Sequence, residues 1–264
     1  MDSMNNGLAV DHWVVKPWAN PGANLRLFCL SYAGGGTQVF RTWATRLPAS
    51  VEVCLIELPG RGVRLKEPLF TDLPPLVEAI AQNLEKHLDK PFAFFGHSMG
   101  GLLSFEITRF FRRHNVQGPA HLFVSGRGAP QTPNDEPPMH ALPEPEFISE
   151  LRRLNGTPRE VLEHEELMQL MLPILRADFS ICETYRYEPE APLDCSITAF
   201  GGLEDESVSV ERLKAWREQT NASFSLHMLP GDHFFLHTAQ SVLLQTLSQG
   251  LNRVLAGVAG PAYK

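Results

Sequence analysis

Gly96-His97-Ser98-Met99-Gly100 sets a serine between two glycines, with Gly101 next. The apolar run 91–95 precedes it and a helical pattern from residue 102 follows. This is G-x-S-x-G at a strand-to-helix junction, the setting in which a serine is raised as a nucleophile. Side chains at the flanking positions would clash in so tight a turn, so glycine is needed there. The turn lifts the Ser98 hydroxyl above the sheet. It also aims the first amides of the next helix at the same point, where negative charge is favoured.

A serine hydroxyl needs a base near neutral pH. In this arrangement the acid and then the histidine follow the serine along the chain. His233 lies in Pro230-Gly231-Asp232-His233-Phe234, just after the strand-like run 224–229. Loops at the C-terminal ends of strands are where open α/β sheets place their sites. His227 falls inside that run and reads as structural. His237, one helical turn on, is the weaker candidate, and His97 sits on the turn beside the nucleophile, where it cannot fold back onto it. For the acid, Asp205 follows the run 195–200, with Glu204 and Glu206 as alternatives. Its role would be to orient His233 and stabilise the imidazolium. Asp194 precedes the strand, at the wrong end of the sheet.

Acyl transfer also needs donors for an oxyanion. The Met99 N–H is one. The second is assigned to the Ala33 N–H, with Tyr32 as the alternative, in the loop Ser31-Tyr32-Ala33-Gly34-Gly35-Gly36.

These residues need a scaffold. The runs 25–30, 51–56, 91–95, 120–125, 195–200 and 224–229 read as strands, several apolar throughout, as strands buried on both faces must be. Between them, residues 73–88, 102–114, 210–219 and 240–255 carry helical spacing. The alternation predicts an α/β fold: a mainly parallel sheet flanked by helices. Residues 127–192 break the rhythm with a proline-dense loop and helical pieces at 146–154, 160–172 and 174–185. The expected organisation is a core of 1–126 and 193–264 with an inserted helical lid at 127–192. A separate helical domain is the alternative.

Composition narrows the function. The chain has 264 residues and a net charge of −7, which argues against general nucleic-acid binding. Cys29, Cys54, Cys182 and Cys195 form no C-x-x-C pair, so a zinc or redox motif is unsupported. Three of them sit in apolar runs and read as small buried hydrophobes, which suits a reducing, cytoplasmic setting. Residues 1–10 lack the pattern of a signal peptide. No run reaches the ~18 apolar residues of a membrane span. No metal and no bound cofactor is expected.

On these residues the chain resembles the stand-alone type II thioesterases that accompany polyketide synthases and nonribosomal peptide synthetases. The resemblance covers nearly the whole chain. It rests on Tyr32-Ala33-Gly34-Gly35, on Leu58-Pro59-Gly60-Arg61-Gly62 with Arg64, and on Gly96-His97-Ser98-Met99-Gly100-Gly101. Leu175-Arg176-Ala177-Asp178 and Gly231-Asp232-His233-Phe234-Phe235 complete it. It implies an α/β-hydrolase fold, a helical lid and the triad Ser98, Asp205 and His233. It also implies hydrolysis of stalled or unwanted acyl groups from the phosphopantetheine arm of an acyl or peptidyl carrier protein. The chain departs from the family at Ser31, where proline is common, and at Gly36, where a small side chain is usual. Both are expected to loosen the oxyanion loop. The medium-chain thioesterase that serves animal fatty-acid synthase shares most of these motifs, so acyl length stays open. A carboxylesterase of small esters and a non-catalytic binding protein are the rival readings.

A carrier partner raises a question of charge. Carrier proteins are usually acidic, as this chain is, so local cations must guide the encounter. Arg64 and Lys66, after the run 51–56, are the expected docking residues, while Arg61 is open to a structural role in its own turn. The working unit is expected to be a monomer.

Overall fold

The computed structural model describes residues 11–133, 137–157 and 159–258. The readings of residues 1–10 and of the tail beyond 258 lie outside them. In chain order the elements are β1 (Val14–Val15), β2 (Leu25–Leu30), β3 (Val51–Ile56), α1 (Leu73–Leu84), β4 (Phe92–His97), α2 (Met99–Arg113) and β5 (His121–Ser125). There follow α3 (Glu144–Leu154), α4 (Arg159–Leu162), α5 (Glu165–Thr184), β6 (Ser196–Gly202), α6 (Val210–Lys214), β7 (Phe224–Leu229), α7 (Phe235–Thr238) and α8 (Gln240–Val258).

The strands form one seven-stranded sheet in the order β1-β3-β2-β4-β5-β6-β7. All pairs are parallel except β1 with β3. Every residue of β2, β3 and β4 is buried, because both faces of the sheet are covered. Successive side chains alternate between the two sides. Phe28, Phe92 and Phe94 pack with α1 and α2 in one cluster, whereas Leu27, Ala93 and Phe95 pack with α8, Phe40 and Trp43 in another. This is the predicted α/β-hydrolase architecture.

The order of strands creates the site. From β2 the chain passes to β3 on one side, while β4 lies on the other. The crevice beyond the C-terminal ends of β2 and β4 is therefore the switch point of an open sheet, where ligands bind. Ser98 ends β4 and the loop 31–36 ends β2.

Among the differences from the sequence reading, three have a plain physical reason. β1 was not foreseen, since two residues give no periodic pattern. α2 starts at Met99 instead of residue 102, because the serine turn is itself the helix start. α5 runs unbroken through Pro173, where two helices were expected. Proline removes one backbone donor and crowds the preceding turn. Packing of Met168, Leu172 and Leu175 on one side and Ile181 on the other outweighs that cost.

Between β5 and β6 the described residues contain α3, α4 and α5 and no strand. Phe147, Leu151, Met168, Leu172 and Leu175 give this insertion a small core of its own. Ile181, nearer the end of α5, belongs to the main core. All four cysteines are free. No helix among the described residues is long and apolar enough to cross a membrane.

Candidate active site

The backbone at Ser98 has φ 53° and ψ −112°, a conformation that L side chains rarely adopt. Its neighbours explain how the turn tolerates it. A Cβ on Gly96 would stand 2.0 Å from the Gly100 carbonyl oxygen, and one on Gly100 would stand 2.1 Å from that of Leu30. Both obstacles are backbone, so only glycine fits. The Ser98 N–H donates to the Ser125 carbonyl at 2.7 Å, which ties the turn to β5.

His233 follows β7 and Asp205 follows β6. The two loops are stitched together: the Leu203 N–H donates to Leu229 at 2.8 Å and the Glu204 N–H to Gly231 at 3.0 Å. This brings His233 Nδ1 to 2.8 Å from Asp205 Oδ2. The Asp205 side chain is wholly buried. Its Oδ1 accepts from the N–H groups of Ser207 and Val208 at 2.9 and 3.2 Å. A carboxylate so held orients the ring. With Nδ1 donating to it, Nε2 is left as the acceptor that a base requires. Ser98 and His233 line the same cavity, of about 460 Å³.

The other histidines are engaged elsewhere. His97 is buried, with Nδ1 on Ser125 Oγ at 2.9 Å. Burial pushes its pKa well below the usual histidine range, so the ring is neutral. It packs against His233 at a ring separation of 5.3 Å. His237 Nε2 pairs with the Tyr32 hydroxyl at 3.0 Å, and the His227 ring stacks on Phe200.

Met99 opens α2, so its N–H has no intrahelical acceptor. Ala33 lines the cavity beside Ser98. Among the described residues its N–H has no hydrogen-bond acceptor. The loop around it is braced on both sides. Gly35 N–H donates to the Tyr32 carbonyl at 2.9 Å, and Ser31 Oγ donates to the Gly35 carbonyl at 2.8 Å. Ser31 therefore closes the loop it was expected to loosen. Gly36 also fits easily: a Cβ there would meet only the flexible end of Gln38.

The parts assembled here are those of acyl transfer, and the comparisons with known proteins name the class. The family model for the thioesterase domain matches residues 25–250. The chain belongs to the thioesterase family. It is 48% identical over 247 residues to the gramicidin S biosynthesis protein GrsT of Aneurinibacillus migulanus, covering 94% of this chain and 96% of that one. It is 47% identical over 251 residues to a protein of Brevibacillus parabrevis named linear gramicidin dehydrogenase LgrE, covering 94% and 95%. Among solved structures, RedJ, the thioesterase of the prodiginine pathway of Streptomyces coelicolor, superimposes with a TM-score of 0.82 at 40% identity. That match covers 88% of this chain and 87% of RedJ. The enzyme is a thioester hydrolase of the type II class found with polyketide and nonribosomal peptide assembly.

In this thioesterase the insertion forms much of the cavity wall. Met139, Leu142, Leu151, Leu154 and Phe179 supply an apolar side, and Arg127 and Glu183 a polar one. None of these was singled out from sequence, where they read only as parts of helices or of a loop.

The loop after β3 corrects one expectation. Arg64 does not face solvent. It is 4% exposed, lies over the Trp13 ring at 3.6 Å, donates to the Glu57 carbonyl at 2.8 Å and pairs with Glu67. It is unavailable to a partner, because the short helical turn 62–64 points it inward. Val63 and Lys66 are exposed instead. Arg61 is buried too, between Gly35 and Asp178.

Proposed function

We propose that this thioesterase hydrolyses acyl or peptidyl groups from the phosphopantetheine arm of carrier proteins, with Ser98 as nucleophile. The observation that carries the reading is the Asp205–His233 pair, bonded at 2.8 Å beside the cavity that Ser98 lines. His233 takes the Ser98 proton as Ser98 Oγ attacks the thioester carbonyl. The Met99 and Ala33 N–H groups hold the oxyanion. The carrier's thiol leaves with the proton from His233, giving an acyl-Ser98 ester. His233 then deprotonates water, which releases the acid and restores the serine. Asp205 keeps the imidazole in the right tautomer and stabilises its charged form.

The names of the relatives support a biosynthetic setting, since GrsT is named for gramicidin S biosynthesis and RedJ for the prodiginine pathway. In that setting the enzyme clears stalled or aberrant chains. The name of the Brevibacillus relative speaks of a dehydrogenase, but the serine turn and the Asp–His pair of this chain are parts for acyl transfer. Free cysteines within β2 and β3 suit a reducing cytoplasm, and the proposed working unit is a monomer. Insertion helices over an apolar wall suit a lid above an acyl chamber, and a cavity of about 460 Å³ is within the usual range for a ligand site.

The test is comparative turnover. Acyl carrier protein, the same acyl group on free pantetheine, and a simple aryl ester are each offered to the enzyme. A fluorophosphonate probe should label Ser98, and kcat/KM should be greatest for the carrier substrate. Preference for the aryl ester would favour a carboxylesterase instead.

A further inference from the structure

Arg61 and Asp178 were named by sequence for other reasons: one in the Pro-Gly-Arg turn, the other in the insertion. In the fold they meet beneath the oxyanion loop. Arg61 Nη2 lies 2.9 Å from Asp178 Oδ1, with side-chain exposures of 10% and 3%. Each also grips the loop. Asp178 Oδ2 accepts from the Gly34 N–H at 2.7 Å, and Arg61 Nη1 donates to the Gly35 carbonyl at 2.8 Å. The clamp therefore fixes the two residues that directly follow Ala33. Gly34 has φ +75°, and a Cβ there would stand 2.5 Å from Leu175 Cδ2, so α5 is pressed against the loop as well as bonded to it.

We propose that Arg61 and Asp178 are positioning residues for the oxyanion hole, linking the seat of α5 to the placement of the Ala33 N–H. The inference rests on the reading of Ser98 and Ala33 given above. Apolar side chains could fill the same space at equal or better stability, since desolvating two charges is costly. They could not satisfy an N–H and a carbonyl on consecutive residues of one loop. A donor at the oxyanion site acts only when its place is set before charge develops, and a misplacement of about 1 Å can cost on the order of 100-fold in rate. Because the clamp holds α5 at Asp178, any opening of the insertion that preserves catalysis takes place before that point, in α3, α4 and the first half of α5. Pro173, which removes one helical hydrogen bond, divides the two parts.

Asp178→Asn and Arg61→Lys are the variants, each compared with Glu52→Gln. Glu52 pairs with Arg26 at 2.8 Å, buried across β2 and β3 near their N-terminal ends, away from the site. It reports what losing a buried ion pair does to stability alone. With acetyl-pantetheine, too short to need the insertion's apolar wall, kcat should fall about 10- to 100-fold in Asp178→Asn and Arg61→Lys. KM should stay within about twofold, as expected when only transition-state binding is lost. An alkyl boronic acid adds to the serine and sets a tetrahedral oxygen in the hole, so its inhibition should weaken by a factor like that in kcat. A thioether analogue without the carbonyl should bind as before. The double variant should be no slower than the worse single one. Glu52→Gln should lower the thermal midpoint and leave kcat unchanged. The inference is overturned if both clamp variants turn over normally, or if thioether binding weakens as much as boronate binding. If Asp178→Asn does not fold, Arg61→Lys carries the test. Should Ser98→Ala stay active, the functional reading fails first, and separately.

Discussion

Asp205 and His233 stand 28 residues apart in the chain and 2.8 Å apart in the fold, joined because β6 and β7 are parallel neighbours whose following loops share hydrogen bonds. A buried carboxylate that already accepts two backbone N–H groups is a rigid seat for an imidazole. Asp205→Asn offers a donor where Nδ1–H needs an acceptor and so favours the wrong tautomer. We expect kcat to fall about 10⁴-fold. Ser98→Ala should lose about four to six orders of magnitude. Both should keep the wild-type circular dichroism spectrum. Thiol release from acyl-pantetheine reads the rates, and a folded Asp205→Asn enzyme with near-normal kcat would reassign the acid, with Glu204 the next candidate.

The glycines of the serine turn should not be interchangeable with those elsewhere. Gly100→Ala drives a Cβ to 2.1 Å from a backbone oxygen, so the turn must open. Activity should vanish, with loss of several kcal/mol of stability, as for other overpacked sites at special backbone angles. Gly118→Ala meets nothing within 4 Å, and Gly36→Ala meets only the Gln38 side chain. Both should fold and turn over normally. Denaturant melts and rates for the three variants check this, and an active Gly100→Ala enzyme would show the turn to be looser than its geometry.

Stability should fall on mild acidification. Burial pushes the His121 pKa down to about 4, and His97 is lowered well below its ordinary value by the same cause. A histidine kept neutral in the fold binds its proton more readily once unfolded. The unfolded state therefore gains protons first, and stability is lost as pH drops below about 6.5. His121 alone contributes about 2 kcal/mol of loss between pH 7 and pH 5. His121→Gln, which can still reach Thr198, should flatten the slope of thermal midpoint against pH in that window. The same slope in wild type and variant would place the titrating group elsewhere.

The insertion should exchange its amides faster than the sheet. Its small core is separate from the two main clusters, and segments with few buried neighbours open locally. Amides of α3 and α4 should exchange well before those of β4, with α5 after Asp178 closer to β4. Uniform protection across all three would describe a rigid second domain, not a lid.

Docking should depend on Lys66 and not on Arg64. Arg64→Ala removes a buried side chain with three kinds of partner, so it should destabilise the fold and slow every substrate together. Lys66→Glu should raise KM for acyl carrier protein about three- to tenfold, an effect that added salt diminishes by screening. Hydrolysis of the pantetheine thioester should barely change. Equal effects of Lys66→Glu on both substrates would move the docking surface elsewhere.

The sequence by itself determined the fold class, the serine turn and the chain order of the residues proposed to act. These are local facts. Apolar runs bounded by turn residues make strands, and G-x-S-x-G needs only its own neighbours to be understood. Ser98, Asp205 and His233 each follow a strand, so each is proposed by asking which loop leaves which strand end. The tertiary structure alone decided what depends on distant partners. Ser31 tightens its loop because Gly35 curls back to meet it. Arg64 turns inward because Trp13 and Glu57 wait beneath it, and charge at a sequence position does not say which way a side chain faces. α5 survives Pro173 because packing on two cores outweighs one missing hydrogen bond. Arg61 and Asp178 are 117 residues apart, and no periodicity or spacing could have joined them. The sheet that carries one and the insertion that carries the other had to be folded together first.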